Sequence, residues 1–182
     1  MKPVAREELL DFQTYSEGRE KSRPLVMAEK ERRRVHLGHY LTFLFENHQT
    51  IRYQIQEMML AERMVKEADI RHEVETYNEV LGGPGELGAT LLVEIESPAE
   101  RQVKLREWLE MPGKLYLKLK DGTKAYARYD ARQVDDRLSS VHYLKFDVKG
   151  QPPVAVGCDF APLKGEQALT PAQREALAAD LA

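Results

Sequence analysis

The sequence predicts an α+β domain: a mainly antiparallel sheet with packed helices, an N-terminal helical segment and a β-rich C-terminal third. Three observations carry that reading. Apolar side chains alternate through Leu41–Phe45 and again through His142–Val148, the period of a half-buried strand. The stretch from Gln49 to Val80 carries helical spacing instead. Helices that could serve as crossovers are few, and every parallel strand connection needs one.

Taken in order, residues 5–14 read as a short helix anchored by Leu9, Leu10 and Phe12. Pro24 starts a second helix that ends near Arg34, because proline suits a first helical turn. Val35–Glu46 reads as one strand, with Leu37, Leu41, Phe43 and Phe45 on one face and His39 beside them. Asn47 or Thr50 caps a long helix over residues 49–68, striped by Ile51, Ile55, Met58 and Val65. Asp69 ends it or caps a further helix, Ile70–Val80, which fades into Gly82-Gly83-Pro84-Gly85. Thr90–Glu96 is a strand, and Pro98 opens a helix through about Glu110.

In the last third, Lys114–Lys120 and Thr123–Tyr129 make a hairpin. A two-residue Asp-Gly loop would set Leu117 opposite Tyr126. A three-residue loop, Lys120-Asp121-Gly122 with Gly122 left-handed, sets Leu117 opposite Ala125 and Tyr116 beside Tyr126. It keeps the apolar faces together and is the predicted form. Ser140–Val148 is a strand, Pro153–Cys158 a short edge strand, and Thr170-Pro171 caps a last helix over 172–181.

The 182 residues fit a single domain. Residues 1–34 form its N-terminal helical segment, 35–160 its core and 161–182 a tail helix. One cysteine, Cys158, rules out an intramolecular disulfide and suits a reducing, cytoplasmic setting. The charged N-terminus lacks the apolar region of a signal peptide, and no apolar run is long enough for a bilayer. A net charge of −3 with interspersed signs argues against a dedicated nucleic-acid binder. Only Arg32, Arg33 and Arg34 form a dense basic cluster, a phosphate-binding candidate that equally suits a solvated helix end. No phosphate loop, nucleophile elbow or paired-cysteine motif is present, which favours a non-catalytic role.

The segments Arg33-Arg34-Val35-His36-Leu37-Gly38, Phe45–Met58 and Ser140–Phe146 are distinctive. They resemble a bacterial family known only as a domain of unknown function, DUF3501, over about Glu7 to Asp159. That family has no established active site, so the resemblance assigns no catalytic residue and no cofactor. It implies a redox or oxidative-stress neighbourhood, with rubrerythrin or an iron–sulfur protein as the partner. Members often carry a histidine near the end of the sheet where this chain has Phe160, which removes that position from any metal site here.

Polar residues in apolar patterns supply the remaining candidates. Projected at 100° per residue from Ile51, Glu62 falls at about 20°, inside the apolar stripe. It is expected to be buried against a cation, either Lys66 or one of Arg32–Arg34. His142 shares the inward register of Leu144 and Phe146. A ligand or metal pocket would therefore use His142 with a carboxylate from Glu46, Glu57 or Glu62, and Arg52 nearby. The structural alternative for His142 is a neutral ring hydrogen-bonded in the core. Three functions follow: an interaction protein of a redox system, a metal- or small-ligand-binding protein, and a nucleic-acid binder. An oligomer is compatible with each.

Overall fold

The structure, a computed structural model, describes residues 1–130 and 134–182. Its helices are α1 (Phe12–Glu31), α2 (His48–Ala61), α3 (Glu67–Asn78), α4 (Pro98–Glu107) and α5 (Pro171–Leu181). Its strands are β1 (Arg34–Leu37), β2 (Leu41–Glu46), β3 (Glu86–Val93), β4 (Leu115–Lys118), β5 (Lys124–Tyr126), β6 (Val141–Asp147), β7 (Ala155–Cys158) and β8 (Gly165–Ala168). They form two antiparallel four-stranded sheets, ordered β1-β2-β3-β6 and β5-β4-β7-β8. The predicted α+β class holds.

The two sheets share one core. Phe43, Phe45, Leu91 and Phe146 of the first meet Leu115, Leu117 and Val156 of the second, all essentially without exposure. Past β5, Arg128 exchanges backbone hydrogen bonds with Lys145 of β6 at 2.8 and 2.9 Å, and β1 lies beside β8. The sheets therefore join along both edges into a flattened barrel whose interior is filled by side chains. Leu105 of α4, Trp108 at its end and Leu177 of α5 complete its packing. A second apolar cluster joins Val4 and Leu9 of an N-terminal strap to Ile51, Ile55 and Met59 of α2 and Ile70 and Val74 of α3. Gly88 of β3 allows the close approach of the chain after α3: a Cβ there would lie 1.9 Å from the Val80 carbonyl oxygen.

The hairpin has the predicted register. Tyr116 faces Tyr126 and Leu117 faces Ala125, and Gly122 is left-handed at φ 87°. Elsewhere the structure corrects the sequence reading. Residues 34–46 are a hairpin and not one strand, since Gly38 at φ 62° turns the chain and Leu37 pairs with Leu41. His39 consequently lies exposed in the turn. Of the predicted helix over residues 5–14, Arg6–Glu8 forms a short 3-10 turn, and Phe12–Glu31 is a single 20-residue helix that carries Pro24 inside it. Residues 161–182 contribute the edge strand β8 as well as α5.

The long helix also ends early. Arg63 adopts φ 48° and donates its N–H to Leu60 O at 3.3 Å, while Met64 N–H reaches Met59 O at 2.9 Å. These two bonds close a Schellman motif with arginine where glycine is usual. Glu62 is the C-cap and is exposed, so the helical projection does not apply to it. The expectation that Glu62 is buried against a cation is therefore wrong, and Val65 at 76% exposure fails with it. Glu62→Ala is accordingly expected to change the unfolding free energy by less than about 0.5 kcal/mol. A chemical denaturation series that gives a loss above about 1 kcal/mol would contradict the exposed placement.

Candidate functional site

The predicted site residues do not converge. His142 lies on the inner face of the first sheet, in the cross-strand row Val35–Phe43–Leu91–His142. It has no exposure, and neither ring nitrogen has a hydrogen-bond partner. Burial lowers its pKa, and the Ser139 backbone draws the other way, short of a formed hydrogen bond.

Glu46 lies on the opposite face, in the row with Gly88 and Lys145. It is 6% exposed, and both carboxylate oxygens accept hydroxyl bonds, from Thr50 at 2.5 Å and Thr90 at 2.7 Å. A sheet separates it from His142. Thr50 is available for this role because the Asn47–Thr50 capping box orders the first turn of α2. Glu57 points from α2 to α1, where it accepts both Arg19 Nε and Nη2 at 2.7 Å and Tyr15 Oη at 2.6 Å. The Arg19 guanidinium holds the Glu57 carboxyl below the usual carboxylate range. Among the described residues, no group of three histidine, cysteine, aspartate or glutamate side chains is placed to share a metal ion.

The arginines of the cluster differ in their surroundings. Arg33 is 3% exposed and forms a two-point bridge to Asp180 at 2.8 Å, with Glu29 at 2.6 Å. Arg32 pairs with Glu29 and Glu175, at 3.9 and 3.7 Å. Arg34 Nε lies 3.5 Å from a Glu31 carboxylate oxygen, near enough for an ion pair although not aligned for a hydrogen bond. Each of the three arginines thus has a carboxylate partner, and only Arg33 is buried with its partners.

What the structure does offer is a groove of about 420 Å³ between α1 and α2. Tyr15, Gly18, Ser22, Leu25 and Val26 of α1 line one wall, and Gln49, Arg52, Tyr53 and Gln56 of α2 line the other. Leu10 closes one end at 45% exposure, and Leu25 stands 76% exposed on the rim. Four other surface depressions among the described residues, of 450–590 Å³, each carry several charged groups, whereas Arg52 is the one charged residue in this lining. Arg52 Nε donates to Glu8 O at 3.0 Å, and the Gln56 amide exchanges two bonds with the Leu10 backbone at 2.7 and 3.1 Å. The Arg19–Glu57–Tyr15 cluster ties the two walls together. Sequence reading named Arg52 and Glu57 and missed the α1 wall. Its signal was the spacing Tyr15, Gly18, Ser22, Leu25, one helical stripe that a helix break at Pro24 conceals.

The fold and groove define an α+β protein with a filled barrel and an apolar surface cleft between two helices. The chain belongs to the family described as Protein of unknown function (DUF3501), whose profile matches residues 3–181. It is similar to the crystal structure of a novel protein of unknown function from Burkholderia pseudomallei K96243. The two are 30% identical, each chain is covered over 100% of its length, and the TM-score is 0.91. No curated protein matches the chain.

Proposed function

We propose that the chain is a non-catalytic accessory protein that seats a segment of a partner protein in the α1–α2 groove. The observation that carries this is the rim itself: Leu25, 76% exposed, beside a lining whose single charged residue is Arg52. Exposed leucines are common singly, but here Leu25 continues the α1 wall with Val26, and Tyr53 lines the α2 wall of the same groove. Such a groove suits a helix or extended segment with apolar side chains and one carboxylate to meet Arg52. The partner we assign is a rubrerythrin or an iron–sulfur protein of a redox system, the setting that the family likeness implies.

The test is a calorimetric titration of the purified chain with each of those proteins in turn. Binding to one of them is expected, and Leu25→Asp should weaken it at least about tenfold with no change in the circular dichroism spectrum. Absence of binding to both, or equal affinity in the Leu25→Asp variant, overturns the proposal. Stoichiometric iron, zinc or manganese in the purified protein would favour the metal-binding reading instead.

A further inference from the structure

We propose that α1 is hinged at its centre, and that its middle, residues 20–28, is the moving wall that sets the width of the α1–α2 groove. The use of that motion in docking rests on the function proposed above; the hinge itself does not.

The local sequence is the first cause. Pro24 has no N–H to give the Glu20 carbonyl, and its ring presses on that carbonyl. The backbone ladder is therefore broken in the middle of a 20-residue helix. The Ser22 hydroxyl turns back to the Gly18 and Arg19 carbonyls of its own helix, at 3.3 and 3.2 Å, a contact that also bends helices. Gly18 is the weakest helix former after proline. No close approach requires it, since a Cβ there would meet nothing within 4 Å.

Tertiary packing does not make up for the loss. Tyr15 is the one buried residue of α1, and residues 20–25 are all exposed. A helix that lies along a core keeps an apolar stripe against it, turn after turn. Among the described residues, no side-chain hydrogen bond or ion pair joins residues 20–28 to another element. The two ends are pinned instead. Near the first, Tyr15 and Arg19 hold Glu57 of α2 at 2.6 and 2.7 Å. Near the second, Glu29 accepts from the Asn47 amide at 3.3 Å, and Lys30 Nζ stands 5.0 Å from the centre of the Tyr53 ring. A helix held at both ends and broken between them can move only by bowing.

The bow is directed at the groove. Ser22, Leu25 and Val26 line it, whereas Pro24 faces the opposite side of the helix. The gap that proline opens in the ladder is thus on the outer side, and flexing there carries the lining residues toward or away from α2. The α2 wall lacks this freedom, because Ile51, Ile55 and Met59 anchor its inner face in the second apolar cluster. The groove therefore sets its one charged residue, Arg52, on a fixed wall and Leu25 and Val26 on a moving one. The same α1 face can then fit partner side chains of different size.

Hydrogen exchange on the full chain tests the hinge without a partner. After correction for intrinsic rates, the amides of residues 25–28 should exchange at least about tenfold faster than those of residues 16–19 at the pinned end. Pro24→Ala should slow residues 25–28 at least about tenfold, beyond any change in β2 and β3, which report global unfolding. Spin labels on Lys21→Cys and Glu75→Cys, exposed sites of α1 and α3, read the motion itself, and Cys158 is buried away from the label. Their distance distribution should narrow when Pro24→Ala is added. Uniform exchange along α1, exchange unchanged by Pro24→Ala, or equal widths in the two backgrounds each overturns the hinge. The link to the groove is read separately, from partner affinity. Pro24→Ala, by straightening the wall, should weaken binding at least about threefold. An unchanged affinity beside a working hinge overturns the link to the groove. Failure of the wild type to bind either partner strikes the docking function instead.

Discussion

Asp180→Ala is expected to lower the unfolding free energy by about 3 kcal/mol. Arg33 and Asp180 are 3% and 7% exposed, so their pairing is not screened as a surface bridge would be. Burial works against the Arg33 charge, and the Asp180 and Glu29 carboxylates more than offset it, so its pKa stands above the ordinary value. Asp180 also accepts a 3.4 Å bond from the Asn47 amide, which in turn caps α2. Its removal leaves the guanidinium with Glu29 alone and loosens α5, which fills the barrel end with Leu177. The retained Glu29 sets the expected loss at the lower end of the range for broken buried pairs.

A paired apolar replacement, Arg33→Met with Asp180→Leu, should restore most of that loss, because neither charge is then stranded. Urea denaturation of the three proteins decides the matter. A loss below about 1 kcal/mol for Asp180→Ala, or a double variant no better than the single, would show that the bridge is not the tie that holds α5.

Much of this architecture was legible because it is local. The β4–β5 register follows from keeping Leu117 opposite Ala125 and Tyr116 beside Tyr126, a choice that needs only the alternation and one glycine. The Asn47 cap of α2 is equally local. The misreadings come where a local signal admits two outcomes. Gly38 inside an alternating run fits a bulge or a turn, and only pairing with β3 selects the turn. Pro24 fits a helix start or an interior position. Packing of α1 on α2 through Tyr15 and Glu57 selects the latter. Arg63 carries no glycine-like signal, yet Met64 packs back on the second cluster and makes the left-handed turn worthwhile.

The candidate site was less legible for a different reason. A pattern assigns His142 to the inner face and Glu46 to a strand end, but which side of the sheet α2 covers is a tertiary fact. With α2 on the outer side, Glu46 finds two threonines and His142 finds no polar partner. The groove depends on the strap as well, through Gln56 and the Leu10 backbone, a contact between residues 46 positions apart. No spacing rule reaches that far.

His142 itself is expected to set the acid limit of the fold. Both of its nitrogens are buried without a partner, an arrangement that costs about 1–3 kcal/mol relative to a satisfied group. Burial depresses its folded-state pKa below the ordinary value of 6.5. The unfolded chain therefore takes up a proton near 6.5 that the folded chain refuses. The sign follows: stability is complete above about pH 6.5 and falls as the pH drops below it, by up to about 1.4 kcal/mol per pH unit for this one proton. His142→Leu replaces the ring by an apolar side chain among Leu91, Leu144 and Phe146. It should raise the unfolding free energy by about 1 kcal/mol at pH 7 and remove the one-proton slope between about pH 6.5 and about pH 5. Every other titratable group is common to both proteins, so the difference between the two stability curves isolates His142. Parallel curves across that window would mean that the buried ring finds a partner or a proton in the folded state. A destabilised His142→Leu variant at pH 7 would mean that the ring's shape, not its polarity, is what the barrel requires.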